Sequence, residues 1–272
     1  MTPTPPLRRF ASRKSWESRR QELLHLLRSK VLARVPEKPR RVRLEERSKP
    51  KDLPARFHGE SELSSDDTAP VRVLLRHAAK AGGRQPGLLY VASDGEDPQA
   101  IDDLLRGVRV PYDWASMVVF PRGVGEIPWN KTFWRRTLRN AMVAGESVDS
   151  MRLADIIVAL EALRSQENVD PGQIVILGKG ISGALGLYAA ILVQRIQQVM
   201  MIDPPATHVE GPIFLNILRY TDLPEAAALI APRSLKFYMR LPEAYNYTRH
   251  IYQLYGMPDR LSRVVKVAAE PQ

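Results

Sequence analysis

The chain has 272 residues, and its 40 Lys and Arg against 30 Asp and Glu give a formal net charge of +10. It contains no cysteine, which excludes disulfides, thiolate metal sites, iron–sulfur clusters and cysteine nucleophiles. A hydrophobic content of 44% and a charged content of 26% are those of a soluble globular protein. The length is sufficient for one large α/β domain with an extension.

The positive charge is concentrated at the N-terminus. Residues 1–51 carry 16 Lys and Arg and 5 Asp and Glu, whereas residues 52–272 carry 24 and 25. We therefore divide the chain into a basic arm (1–51) and a nearly neutral body (52–272). Such an arm can bind nucleic acid or anionic lipid, but a solvated arm that aids solubility is favoured. Its basic residues include Arg8, Arg9, Arg13, Lys14, Arg19, Arg20, Arg40, Arg41 and Arg43.

The arm itself has recognisable elements. Apolar residues from Trp16 to Leu32 recur every three or four positions, which predicts an amphipathic helix over 15–34. Alternating residues over 40–48 predict an edge strand. The polar segment 61–69 predicts a turn or loop.

From residue 70 onwards, strand patterns alternate with helix patterns. This alternation predicts a doubly wound, mostly parallel α/β sheet flanked by helices. The predicted strands are 71–79, 87–93, 114–123, 174–177, 197–205, 234–240 and 262–269, and the predicted helices are 97–107, 129–143, 148–166, one from about 181, 222–231 and 242–256.

A glycine-rich turn connects the strand ending at Leu177 to the helix from about Ile181. It reads Gly178-Lys179-Gly180-Ile181-Ser182-Gly183. A sharp strand-to-helix turn of this kind is the setting of the nucleophile elbow G-x-S-x-G, and active sites of parallel sheets lie beyond the carboxyl ends of the strands. The turn is therefore where chemistry is expected.

Several segments in this order resemble one protein family over nearly the whole chain. They are SWESRRQELLHLL followed by PEKP, FPRGVGE, VDPGQIVILGKGISGALGLYAA, and IDPPATH followed by LPEAAALIAPR. The chain resembles the acetyl xylan esterase and dienelactone-hydrolase-like group of α/β-hydrolases, in particular its planctomycete-type members. The resemblance implies an α/β-hydrolase-like body and deacylation of carbohydrate or small esters by a Ser–Asp–His triad.

The residues at the triad positions depart from that pattern. The elbow position is occupied by Gly180, the penultimate strand leads to Arg240 and then Glu243 with no aspartate, and no histidine follows His250. We therefore predict a degenerate, non-catalytic member that acts as a binding, assembly or scaffold subunit. Its degenerate cleft comprises Gly178, Lys179, Gly180, Ile181, Asp203 and His208.

Two alternatives remain open. In a register shifted by two residues, Ser182 becomes the nucleophile of an acetyl xylan esterase-like ester hydrolase, with Asp203 and either His208 or His250 as partners. A serine at the start of a helix is, however, usually structural. The second alternative is an adaptor that binds nucleic acid or an anionic surface through the basic arm.

The remaining motifs are weak. Gly178, Gly180 and Gly183 match G-x-G-x-x-G, but late in the chain, so no cofactor is expected. The histidines form no ligand pair, so no metal is expected. Expected partners are a protein or a second copy, with the tyrosine-rich segment YNYTRHIYQLYG as a contact element, or an acylated carbohydrate or small ester. No signal peptide or membrane-spanning run is recognisable, which makes the cytoplasm the default although relatives are often exported.

Overall fold

The computed structural model describes residues 7–47, 53–76, 83–125 and 131–265. In this part of the chain, nine strands form one sheet in the order β1-β2-β3-β5-β4-β6-β7-β8-β9. The strands are β1 (Arg43–Glu46), β2 (Gly59–Ser65), β3 (Thr68–Arg76), β4 (Gln85–Val91), β5 (Ala115–Phe120), β6 (Val169–Lys179), β7 (Ile196–Ile202), β8 (Ser234–Tyr238) and β9 (Leu261–Val264).

Seven α-helices cover this sheet in the described residues. They are α1 (Arg13–Leu26), α2 (Pro98–Gly107), α3 (Lys131–Val143), α4 (Val148–Arg164), α5 (Gly180–Leu192), α6 (Leu223–Ala228) and α7 (Asn246–Leu254). A five-residue π-helical turn, Leu27–Val31, continues α1.

The sheet has an antiparallel part and a parallel part. Strands β1, β2, β3 and β5 pair antiparallel with their neighbours, whereas β5, β4, β6, β7, β8 and β9 pair in parallel. This confirms the predicted mostly parallel sheet flanked by helices. It also brings the carboxyl ends of six strands to one edge, where the glycine-rich turn after β6 lies.

Both faces of the sheet are buried, because apolar side chains occupy successive positions of its central strands. In β4, Leu89 and Val91 join the larger core cluster, which includes residues of α1, α4, α5, α6 and α7. Leu88 and Tyr90 point the other way, into a smaller cluster that includes residues of α2.

The first helix packs onto the larger cluster. Trp16, Leu23 and Leu27 are fully buried there. The Nε atom of Arg19 donates to Glu225 Oε1 at 3.1 Å, and both side chains are largely buried. Part of the basic segment therefore provides counter-charges for the body. Binding of nucleic acid or of an anionic surface by the rest of the basic arm stays an untested alternative that the sequence does not favour.

The prediction of a loop over 61–69 is wrong. These residues belong mostly to β2, whose buried and partly exposed positions alternate. Leu63 is its main apolar contribution to the core, and the buried Glu60 is paired with Arg72 of β3 at 2.8 Å. Polar side chains are tolerated at buried positions of β2 because ion pairs with the neighbouring strands stabilise them. The sequence of this strand therefore lacks the alternation of apolar and polar residues from which a strand is predicted.

Other boundaries differ by a few residues. The helix predicted over 242–256 is shorter, because a 3-10 turn (Glu243–Tyr245) precedes α7. The ends of the strands predicted over 71–79 and 262–269, and the start of the helix predicted over 129–143, lie outside the described residues. Among the described residues, none of the helices combines the length and apolarity that crossing a bilayer demands.

Candidate active site

The turn after β6 has the backbone geometry of an elbow. Strand β6 ends at Lys179 and α5 begins directly at Gly180, which has a left-handed φ of +54°. A Cβ atom built on Gly180 would meet no neighbouring atom within 4 Å. The turn therefore faces an open space.

The flanking glycine is required for close packing. A Cβ on Gly178 would lie 2.7 Å from the backbone nitrogen of Gly183, so the end of β6 and the first turn of α5 are in near contact. Only a residue without a side chain permits this approach. The turn is thus held rigidly against the sheet.

The start of α5 is rich in free backbone donors. The N-cap residue Lys179 makes no side-chain capping hydrogen bond, and Gly180 and Ile181 follow. The first N–H groups of a helix have no intrahelical acceptor, and they carry the positive end of the helix dipole. Such a terminus can stabilise the oxyanion that forms during acyl transfer.

Two serine hydroxyls flank this terminus. Ser182 is 8% exposed, and its Oγ donates to the carbonyl oxygen of Ala92 at 2.9 Å, so it points toward the end of β4. Ser93, two residues after the end of β4, is half-buried, and its Oγ donates to the carbonyl oxygen of Lys179 at 3.2 Å. Both hydroxyls therefore lie at the turn, on its β4 side.

The neighbouring strand ends contribute a carboxylate and further left-handed residues. Asp203 follows β7, has a φ of +45°, and accepts a hydrogen bond from the backbone nitrogen of Arg240 at 3.1 Å. Met239, after β8, has a φ of +64°. Because Ile202 pairs with Lys179, Asp203 is brought beside Gly180 on the β7 side.

His208 is placed away from the turn. Its ring is buried, with Nδ1 2.8 Å from the carbonyl oxygen of Pro212 and Nε2 2.6 Å from the hydroxyl of Tyr188. A carbonyl only accepts, so Nδ1 carries the proton and Nε2 accepts from the tyrosine. Tyr188 is six residues beyond Ser182 on α5, about 9 Å along the helix axis.

His250 is also separate from the turn. It lies on α7, and its Nε2 is 2.9 Å from the carbonyl oxygen of Phe10. The structure therefore brings Gly178, Lys179, Gly180, Ile181, Ser182 and Asp203 together, but it places His208 and His250 in other hydrogen-bonding roles.

The fixed tautomer of His208 gives a pH prediction. Burial lowers the pKa of His208 below its ordinary 6.5. At a pH between the lowered pKa of the folded chain and the ordinary pKa of the unfolded chain, the unfolded chain binds a proton that the folded chain does not. The free energy of unfolding is therefore expected to fall as the pH drops below about 6.5, by up to about 1.4 kcal/mol per pH unit. The measurement is urea unfolding at pH 7, 6 and 5.

A His208→Gln variant should lose this part of the pH slope. The matched control is His25→Gln on the exposed face of α1, which should keep it. Equal slopes in the wild type and the His208→Gln variant would contradict the buried, neutral state of His208.

Cationic groups at the same edge were not identified from the sequence. Arg122 follows β5, and Arg152 of α4 donates through Nε to the carbonyl oxygen of Arg122 at 3.1 Å. Arg152 also lies 3.5 Å from Asp94, next to Ser93. The position of Arg122 at the end of the segment predicted as a strand over 114–123 was the one available signal. Within the described ranges, no group of three or more His, Cys, Asp or Glu could hold a metal ion.

Solved structures resemble this chain closely in fold but not in sequence. A protein assigned as an acetyl xylan esterase, from Bacteroides fragilis, superposes with a TM-score of 0.66 at 13% identity, over 94% of this chain and 77% of that one. A glucuronoyl esterase from Solibacter usitatus gives 0.62 at 14% identity, over 90% and 82%. The chain has the α/β-hydrolase fold.

A methylesterase gives a TM-score of 0.68 at 15% identity, over 94% of this chain and 60% of that one. No protein-family model and no curated protein sequence matches the chain. The α/β-hydrolase fold and the likeness to carbohydrate esterases predicted from the sequence are thus confirmed at the level of structure. Degeneracy of the triad stays a prediction.

The prediction of a non-catalytic binding or scaffold subunit is contradicted. Many of the structures that share this fold over nine-tenths of the chain are carbohydrate esterases. The prediction relied on Gly180 at the elbow, on the absence of an aspartate after the penultimate strand and on the absence of a histidine beyond His250. These departures leave the helix terminus and its neighbouring hydroxyls in place. The comparison favours the alternative, a carboxylic-ester hydrolase.

Proposed function

We propose that the protein is a carboxylic-ester hydrolase that acts on esterified carbohydrate, with the ester bound in the open space above Gly180. The observation that carries this proposal is the uncapped N-terminus of α5, which begins at a left-handed glycine and faces that space. The structural likeness to carbohydrate esterases supports it.

The backbone can supply electrostatic stabilisation. In ester hydrolysis a nucleophilic oxygen bonds to the acyl carbon, the carbonyl π bond opens, and negative charge develops on the carbonyl oxygen. When that π bond re-forms, the alcohol leaves with the proton that the nucleophile has lost, and water then releases the acid from the acylated nucleophile. The N–H groups at the start of α5 are fixed in direction before the reaction, so they need no reorganisation to stabilise that charge. The exposed ammonium group of Lys179 adds a positive field at the same place.

The nucleophile is displaced from the elbow position. Two serine hydroxyls lie at the same turn, those of Ser182 and Ser93, and each donates to a backbone carbonyl oxygen. Attack requires the hydroxyl to leave its carbonyl acceptor by rotation about χ1. Ser93 is the more exposed of the two, because the side chain of Ser182, in the first turn of α5, is buried against the end of β4.

The first test is the mass of the intact protein after reaction with a serine-directed fluorophosphonate, together with turnover of p-nitrophenyl acetate. We expect one adduct, on Ser182 or Ser93, and a loss of at least about 1,000-fold in turnover in the corresponding Ser→Ala variant. The matched control is Ser18→Ala on the exposed face of α1, which should retain full activity.

The double variant Ser182→Ala/Ser93→Ala decides the proposal. Turnover of this variant equal to that of the wild type, or no adduct at Ser182 or Ser93 in the wild type, would overturn it. Substrate class is tested with an acetylated xylo-oligosaccharide and methyl glucuronate, whose relative rates separate deacetylation from hydrolysis of a uronate ester.

A further inference from the structure

A pocket of about 470 Å³ opens beyond the amino ends of the parallel strands, at the end of the sheet opposite to the candidate active site. It lies between the end of β3, helix α2 and the loop that precedes β5. Arg76, the last residue of β3, is opposite Ser116 near the start of β5. Because Gly180 follows the carboxyl end of the parallel strand β6, the pocket and the candidate active site are at opposite ends of the strands.

Two buried guanidinium groups line this pocket. The Arg56 side chain is 3% exposed, and its Nε is 2.6 Å from Asp102 Oδ1. Arg76 is 4% exposed, and its Nη2 donates to the carbonyl oxygens of Pro111 and Trp114, both at 2.9 Å. These contacts use only one nitrogen of each group.

The other nitrogens lack acceptors. Nη1 and Nη2 of Arg56, and Nε and Nη1 of Arg76, are buried with no hydrogen-bond partner among the described residues. Buried donors of a charged group that remain unpaired are strongly destabilising, so native proteins rarely keep them without a ligand or ordered water. Four such nitrogens at one pocket indicate that an acceptor binds there.

The charge of Arg76 is not paired with a carboxylate among the described residues. Asp102 pairs with Arg56 and Arg106, and Asp103 also pairs with Arg106, whereas Asp102 and Asp113 act on Arg76 only at longer range. Burial and the neighbouring charge of Arg56 lower the pKa of Arg76 to about 10. A bound anion would offset both effects.

An aromatic ring fixes the two guanidinium groups relative to each other. The Cζ atom of Arg56 is 4.2 Å from the ring centre of Tyr112, and that of Arg76 is 5.9 Å from the same ring. Stacking on one ring restricts both side chains before a ligand arrives. The entropic cost of ordering them on binding is therefore small.

We propose that this pocket binds the tetrahedral oxyanion group of a small molecule, a phosphate or sulfate ester, through Arg56 and Arg76. Four unpaired guanidinium nitrogens suit a group with several acceptor oxygens, since bidentate pairing of guanidinium with such oxyanions is geometrically favoured. The volume exceeds that of the oxyanion alone and leaves room for the molecule that carries it.

Titration calorimetry of the full chain tests this proposal. The ligands are inorganic phosphate, inorganic sulfate, glucose 6-phosphate and glucose 6-sulfate, with chloride added to equal ionic strength. Binding of the phosphates or of the sulfates supports the pocket and identifies its oxyanion. Absence of binding for all four, with no rise in thermal midpoint, would overturn the proposal.

The variants Arg56→Gln and Arg76→Gln are each expected to weaken binding at least tenfold. The control is Arg109→Gln, an exposed arginine in the same loop as Tyr112, which should bind as the wild type does. Equal weakening in the control would show diffuse charge attraction and overturn the assignment. A rise in the thermal midpoint of the wild type with ligand gives a readout that does not depend on a variant folding.

Discussion

Replacing Trp16 with alanine is expected to lower the free energy of unfolding by about 3–5 kcal/mol. The residue lies on α1, in the basic segment, yet its side chain is fully buried in the larger core cluster. The rings of Phe10 and Tyr247 pack edge-on against the indole of Trp16, with ring centres 5.4 Å and 6.4 Å from its centre. Alanine would leave a large cavity between α1 and α7. Urea unfolding measures the change.

The controls separate cavity formation from other effects. Trp16→Phe should cost much less, because it keeps most of the ring and removes an indole N–H that has no acceptor in the described structure. Lys14→Ala, on the exposed face of the same helix, should change stability by less than about 0.5 kcal/mol. A loss below about 1 kcal/mol for Trp16→Ala would contradict the docking of α1.

A second large effect is expected for Asp155→Ala, a loss of about 3–5 kcal/mol. Asp155 is fully buried on α4, and its carboxylate accepts from the Arg122 backbone nitrogen at 3.0 Å, from Nε at 2.9 Å and from Nη2 at 2.5 Å. Removal of the carboxylate leaves three donors and a mostly buried cation without their acceptor. Thermal and urea unfolding report the loss.

The matched control lies on the same helix. Glu161 is paired with Arg164 at 3.6 Å and its side chain is 40% exposed, so Glu161→Ala should cost no more than about 1 kcal/mol. Comparable losses in the two variants would mean that helix propensity, not the buried ion pair, determines the effect.

The body of the fold was predictable because its strands are buried on both faces. Segments such as Val175–Leu177 are continuously apolar, and the helices between them have clear apolar stripes, so the alternation was visible without tertiary information. Strand β2 was missed because Glu60 and its neighbours are satisfied by ion pairs across the sheet. Such pairs are made only in the folded chain.

For the candidate site, the sequence located the turn but not the groups around it. The glycine spacing identified the elbow at Gly180 and left Ser182 as an alternative nucleophile. It could not show that the Ser182 hydroxyl turns toward Ala92, or that His208 is fixed by Tyr188. These facts depend on residues far apart in the chain, as does the pocket formed by Arg56 and Arg76.

Three neighbouring strands end in left-handed residues at the edge that holds the site. Gly180 adopts this conformation at no steric cost, whereas Asp203 and Met239 each bear a strain of about 1–2 kcal/mol. Selection for heat resistance alone would therefore favour glycine at both positions, and at Asp203 it would remove the carboxylate. A laboratory search for thermostable variants should therefore gather substitutions at these two positions and lose the Asp203 carboxylate from the candidate site as it does so.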